Sequence, residues 1–248
     1  ASTPLVTTEA GSTASFTVVL DAKPTANVTV SITGADSTEH SLSASALTFT
    51  ASNWNTAQTI TITGVDDSLD DGDITTTITA TASNTGGYAG TETATATLKT
   101  TDDDTAGITI AQASTPLVTT EAGSTASFTV VLDAKPTDNV TVSITGADST
   151  EHQLSASALT FTTSNWNTAQ TVTVTGVDDS LDDGDITTTI TATASNTGGY
   201  AGTETATATL KTTDDDTAGI TIAQASTPLV TTEAGSTASF TVVLDAKP

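Results

Sequence analysis

Gln58-Thr-Ile-Thr-Ile-Thr-Gly-Val-Asp-Asp-Ser-Leu-Asp-Asp-Gly-Asp-Ile-Thr-Thr-Thr-Ile-Thr-Ala-Thr81 reads as strand, acidic loop, strand. Ile60 and Ile62 alternate with Thr59, Thr61 and Thr63, the period of two that marks a half-buried strand. Ile74, Thr76, Ile78 and Ala80 repeat the alternation against Thr75, Thr77, Thr79 and Thr81. Between them Asp66, Asp67, Asp70, Asp71 and Asp73 place five carboxylates in eight residues, and the same letters recur as Asp178, Asp179, Asp182, Asp183 and Asp185. Two carboxylates about 5 Å apart repel by roughly 3 kcal/mol at an effective dielectric near 20, so a folded loop of this kind calls for a cation. No lysine lies inside the run, and the chain has five basic residues against 29 acidic ones, for a net charge of −24. Oxygen donors without His or Cys point to Ca²⁺ rather than to zinc or copper.

The run recurs because the chain repeats itself. A shift of 112 places superposes residues 1–112 on 113–224, leaves 24 residues of a third copy, and meets only five differences: Ala26/Asp138, Ser41/Gln153, Ala51/Thr163, Ile60/Val172 and Ile62/Val174. A period so long marks beads on a string and not turns of one solenoid.

The remaining apolar residues alternate in the same way: Phe16, Val18, Leu20; Val28, Val30, Ile32; Leu47, Phe49; Ala94, Ala96, Leu98. With Gly107–Ile110, which opens the next unit, this makes seven expected strands per repeat and an all-β chain of tandem immunoglobulin-like β-sandwiches. The expected divisions are 1–104, a repeat lacking its first strand; 105–216, a complete repeat; and 217–248, the first strands of a third. Trp54 stands before the fifth strand and is read as a lid on a thin core in preference to a sugar platform. His40 and His152 lie in a polar loop and are expected to be exposed.

Each repeat carries two further acidic features. Asp102, Asp103 and Asp104 (Asp214, Asp215 and Asp216 in the second copy) follow the last strand, and Glu9 (Glu121) sits in the turn after the first. In an immunoglobulin-like sandwich all three features reach one end, where nine carboxylates are enough for more than one ion. Known calcium loops do not fit the run. With Gly72 at the sixth position of an EF-hand, Leu69 and Ile78 fall where an oxygen ligand and a glutamate are required. Gly86-Gly87-Tyr88-Ala89-Gly90 lacks the aspartate spacing of a glycine-rich nonapeptide. No phosphate loop or nucleophile elbow is present, and the carboxylates cluster instead of facing each other across a cleft, so an enzyme is not expected.

Glu9, Leu47-Thr-Phe49 leading through Gln58–Thr63 into Val65-Asp66-Asp67, and the closing Ala96–Asp104 resemble the Calx-beta domain, over the whole of each repeat. Asn53-Trp54 and Gly64–Asp67 are similar to the Calx-beta-like repeats of giant bacterial surface and adhesin proteins. The resemblance implies a calcium-binding sandwich with ions at the domain end, and Glu9, Asp66, Asp67, Asp70, Asp73 and Asp102 to Asp104 fall where the family places ligands. The second block here has aspartates where the family often has glutamates, and the loop 34–43 lacks the Asp-Tyr pair that often adds a ligand.

The expected function is a calcium-stiffened spacer of a long extracellular adhesin or surface filament at the cell surface. The alternative is a glycan- or surface-binding module built on Trp54 or on the threonine rows. Absence of cysteine fits a bacterial surface protein that uses metal in place of disulfides. No apolar run approaches the roughly 18 residues of a membrane span, so no membrane insertion is expected, and strong acidity argues against nucleic acid and anionic lipid. Partners are then neighbouring repeats of the same protein, or other copies in a filament. Two readings of the ragged ends stay open. In one, strand 219–222 of one copy completes the open edge of another; in the other, the chain is a window on a longer repeat protein. The second is favoured, because 239–244 duplicates a strand that the first repeat already has at 15–20.

Overall fold

A computed structural model describes residues 4–248, all β-strand, turn and loop, with no helix among the described residues. The chain forms tandem immunoglobulin-like β-sandwiches in two compact units, Ala1–Ala106 and Gly107–Pro248. In the first unit, β1 (Leu5–Thr8), β8 (Thr93–Thr101), β7 (Ile74–Ala82), β3 (Val28–Thr33) and β5 (Ala46–Phe49) lie side by side in that order. The facing sheet holds β2 (Thr13–Val18), β6 (Gln58–Gly64) and β4 (His40–Leu42) in the order β2-β6-β4.

The second unit repeats this plan with one strand more. Its five-stranded sheet runs β10 (Leu117–Thr120), β17 (Thr205–Thr213), β16 (Ile186–Ala194), β12 (Val140–Thr145), β14 (Ala158–Phe161). Its other sheet runs β13 (His152–Leu154), β15 (Gln170–Gly176), β11 (Thr125–Leu132), β9 (Ile108–Gln112). The segment after them carries a hairpin of β18 (Ile220–Gln224) and β19 (Phe240–Leu244), and an isolated bridge joins Leu181 to Lys247.

From β9 to β17 the strands number nine, where seven were expected. The two extra, β10 and β13, have four and three residues and only one apolar inward position each, Leu117 and Leu154, so they show no apolar alternation. β10 runs parallel to β17, opposite Leu210 to Thr213, and every other pairing between strands is antiparallel except its counterpart β1 with β8. β13 turns His152 and Leu154 toward the interior.

Alternation does the packing, since one face of each strand enters the core and threonine, a good strand former, covers the other. Phe49, Ile60, Ile78 and Leu98 are fully buried in the first unit, and Phe128, Phe161, Val172, Val174, Ile190 and Leu210 in the second. Trp54 packs against the first core, and its carbonyl accepts the Leu20 N–H at 3.1 Å, in keeping with a lid. His40 and His152 correct the sequence reading: they are 1 % and 2 % exposed, not on the surface. Burial pushes both imidazoles down, Asp36 and Asp148 opposing it, and His40 Nε2 accepts the Asp36 N–H at 3.3 Å.

Candidate metal centre

The acidic loop leaves β6 at Gly64, a residue with no room for a side chain: a Cβ there would stand 1.9 Å from the Thr8 carbonyl oxygen. That close approach brings the start of the loop beside Glu9, whose own N–H donates to the Thr101 carbonyl at 3.1 Å. The ends of β1, β6 and β8 are thus tied together. A third element joins them, for the Val65 N–H donates to the Glu39 carbonyl at 2.8 Å. The loop then turns at Gly72, in the left-handed region at φ +77°, and the Gly72 N–H donates to Asp102 Oδ2 at 2.7 Å.

Two groups of carboxylates result, and Glu9 belongs to both. Ligand oxygens of Glu9, Glu39 and Asp71 lie within 4.8 Å of one another, as do those of Glu9, Asp67 and Asp104. In the second unit the groups are Glu121, Glu151 and Asp183, and Glu121, Asp214 and Asp216. Glu9, Glu39, Glu121 and Glu151 are only 2 to 4 % exposed, and Oε2 of Glu9, Glu39 and Glu151 has no hydrogen-bond partner. Burial first, then Asp102, Asp67, Glu39 and Asp71, push the Glu9 carboxyl up to about 7. Glu121 is likewise pushed up to about 7 by burial, with the Asp215 N–H opposing and Asp214, Asp179 and Glu151 adding to it. Glu39, Asp71, Asp104, Glu151 and Asp216 are raised as well, burial leading and neighbouring carboxylates following.

Acids of the two blocks, some of them members of these groups, also hold the backbone. Asp67 Oδ1 accepts the Leu69 N–H and Asp179 Oδ1 the Leu181 N–H, each at 2.7 Å. Asp70 Oδ2 accepts the Ala106 N–H and Asp182 Oδ2 the Ala218 N–H, each at 2.7 Å, which fastens the exit from each repeat to the loop. Asp102 Oδ1 accepts the Asp104 N–H at 2.9 Å and Asp214 Oδ1 the Asp216 N–H at 2.8 Å. Asp73 pairs with Lys99, and Asp185 with Lys211 at 2.6 Å, so a lysine of the neighbouring strand neutralises one acid per loop and lowers its pKa. Asp66, Asp103, Asp178 and Asp215 are exposed and lie outside the four groups.

Glu39 and Glu151 were not among the residues expected from sequence. Each is one of two acids in Asp-Ser-Thr-Glu-His, in a loop between β3 and β4 or β12 and β13, and the pairing of His40 with Gly64 and the Val65 N–H bond to the Glu39 carbonyl carry it to the acidic end. The signal was the short alternation His40, Leu42 after it, which the polar reading of histidine hid.

The donors are all oxygen, one oxygen each of Glu9, Glu39 and Glu151 is buried without a partner, and one lysine per loop offsets only part of the charge. That set fits a hard divalent cation, and Ca²⁺ tolerates such irregular geometry where Mg²⁺ demands a tight octahedron.

No family model matches the chain, and no curated protein matches it. Among solved structures it is similar to CBD12 from CALX1.2, at 18 % identity over 76 % of each chain with a TM-score of 0.33. It is similar to the S-layer protein SbsC domains 4 and 5, at 21 % identity over 55 % of this chain and 65 % of that one, TM-score 0.31. It is also similar to the extracellular cadherin domains 1–5 of protocadherin gamma B2, at 12 % identity over 99 % of this chain and 46 % of that one, TM-score 0.36. At these identities and scores the likenesses say nothing of ligand or function.

Proposed function

We propose that each repeat is a calcium-dependent structural module of an extracellular repeat protein, and that its acidic end takes two Ca²⁺ ions bridged by Glu9 or Glu121. One observation carries the reading: Oε2 of Glu9, where two carboxylate groups meet, and Oε2 of Glu39 and Glu151, each in one such group, are buried with no partner in the protein. Leaving a charged acceptor buried and unpaired is costly, and an ion would supply the missing partner. Glu9, Glu39 and Asp71 would hold one ion, and Glu9, Asp67 and Asp104 the other. The ions would lock the loop between β6 and β7 to the residues after β8.

The mechanical consequence follows from chain order. Asp104 and the Asp70-bound Ala106 stand where the chain leaves one repeat, so coordination there restrains the backbone of 102–106, and Asp214 and Asp216 do the same at 214–218. A string of such repeats is a stiff spacer when calcium is present and a loose one when it is not. The glycan- or surface-binding alternative is weakened at Trp54, which is half-buried against the core, and keeps the threonine rows as its other basis.

Calorimetric titration of the 1–248 chain with Ca²⁺ and with Mg²⁺ tests the reading. Saturable calcium binding with more than one ion per repeat, and much weaker Mg²⁺ binding, is expected. Equal responses to the two ions, or no calcium heat, would remove it.

A further inference from the structure

One layer of the sandwich interior is polar where the alternation of the strands leads one to expect apolar side chains. In the second unit it takes one inward position from each of five strands: Thr119 of β10, His152 of β13, Gly176 of β15, Thr188 of β16 and Thr212 of β17. Thr119, His152 and Thr212 are 2 %, 2 % and 1 % exposed. Two places toward the core along the same strands stand Leu117, Leu154, Val174, Ile190 and Leu210, all apolar. Two places the other way along β10 and β17 stand Glu121 and Asp214, which belong to one carboxylate group. The polar layer is thus the floor of the candidate metal centre. The first unit has the same floor in Thr7, His40, Gly64, Thr76 and Thr100.

Burying hydroxyls and an imidazole is costly unless they find partners, and here the partners converge on one acid. Thr212 Oγ1 donates to the Glu151 carbonyl at 3.3 Å. A hydroxyl has a single proton, so in the 3.3 Å contact between the Oγ1 atoms of Thr119 and Thr212 it is Thr119 that donates. The Glu151 carbonyl also accepts the Val177 N–H at 2.8 Å, which occupies both of its lone pairs. On the other side of Glu151 the His152 N–H donates to the Asp148 carbonyl at 2.9 Å, and His152 Nε2 lies 3.4 Å from Thr188 Oγ1.

Glu151 is a side chain that needs holding. Its ligand oxygen lies within 4.8 Å of those of Glu121 and Asp183, and a loose loop would relieve the repulsion by swinging it into water. Resting on the reading of the acidic end as a calcium site, we propose that Thr212, with Thr119 behind it, is a positioning residue: it pins the Glu151 backbone so that the carboxylate is in place before the ion arrives. Such preorganisation appears as affinity. Without the ion the same tether keeps like charges together, so it adds little to the stability of the fold.

Calcium titration calorimetry and urea melts of the 1–248 chain carrying Thr212→Val test this, with the first repeat as an internal control. Valine keeps the shape and removes the hydroxyl. The ions of the second repeat are expected to bind about tenfold more weakly, as for the loss of one hydrogen bond, and those of the first repeat as before. Stability in chelator is expected to stay level or to rise, which a merely structural hydroxyl would not allow. Thr212→Ser is expected to restore the affinity, and Thr119→Val, one bond further away, to weaken the same sites about threefold. If Thr212→Val does not fold, Thr119→Val decides by the same two measurements. Wild-type calcium binding that both valine variants leave unchanged, or a Thr212→Ser chain as weak as Thr212→Val, would overturn this proposal alone. A wild-type chain that gives no calcium heat would overturn the calcium reading and this proposal with it.

Discussion

Each sandwich handles a glutamate in opposite ways at its two ends. Glu204 lies in the turn between β16 and β17; burial by itself would raise its carboxyl, but N–H bonds from Ala201 at 3.0 Å, Gly202 at 3.0 Å and Thr203 at 3.1 Å outweigh that and lower it. Glu121, at the other end of β16, receives one long N–H bond from Asp215 at 3.4 Å and is pushed up to about 7. Glu92 and Glu9 repeat the contrast in the first unit. The fold is thus able to satisfy a carboxylate with its own backbone, and does so at the end where nothing else is needed. At the acidic end the backbone donors go to Asp67, Asp70 and Asp102, while Oε2 of Glu9 and of Glu39 receives none and is left for a positive charge from outside.

The contrast can be broken most forcefully by the ion itself. Calcium at a hundredfold excess over its dissociation constant stabilises by about 2.7 kcal/mol per site, so the melting temperature is expected to rise by roughly 10 °C or more over a chelator control, with a far smaller rise in Mg²⁺. A scanning calorimeter decides it, and matching shifts in the two ions would erase the difference between the ends.

Next in size is the paired substitution Glu9→Gln with Glu121→Gln. Without metal it is expected to stabilise the chain by about 1 kcal/mol, because two buried charges with at most one long hydrogen bond to Oε2 are gone, while most of the calcium response disappears. Thermal melts with and without calcium check both halves, and a variant that is destabilised in chelator and still responds to calcium would refute the account.

The pH dependence is smaller but has a sign of its own. Glu9 and Glu121 have folded-state values raised from 4.5 to about 7, so between those limits the metal-free folded chain holds more protons than the unfolded one. Stability without metal is then expected to fall as pH rises from about 4.5 to about 7, and calcium affinity to climb over the same range as the ion displaces those protons. Urea melts across that range measure the first and titrations the second.

The smallest effect belongs to the satisfied end. Glu92→Gln with Glu204→Gln is expected to lower the melting temperature slightly and by the same amount with and without calcium. A calcium-dependent loss would show that the two ends are not independent.

Much of this was legible in the sequence, and the failures share a cause. Long alternations such as Ile74–Ala82 announced their strands, and the spacing of Asp66–Asp73 and Asp102–Asp104 announced that two loops meet. Short elements did not announce themselves. β10 has two inward positions, Leu117 and Thr119, and one of those is polar; β13 has His152 and Leu154, and the histidine masked the pattern. Glu39 was missed with β4, since an acid in a polar loop becomes a candidate ligand only once His40 is known to sit opposite Gly64. Lys99 was missed for the same reason: its pairing with Asp73 depends on the register of β7 with β8, which places it across from Thr75.

The parallel pairing of β10 with β17 has a consequence under tension. The two strands lie near the start and the finish of one repeat and point the same way, so a pull on the chain drags β10 toward its beginning and β17 toward its end. The four paired positions from Leu117/Leu210 to Thr120/Thr213 are then loaded together in shear, along the strands, and must yield as a group. An antiparallel pair pulled from its open end would unzip one rung at a time. The seam closes at Thr120, next to Glu121, so a bound ion would clamp the sliding strands at the point where they would have to part.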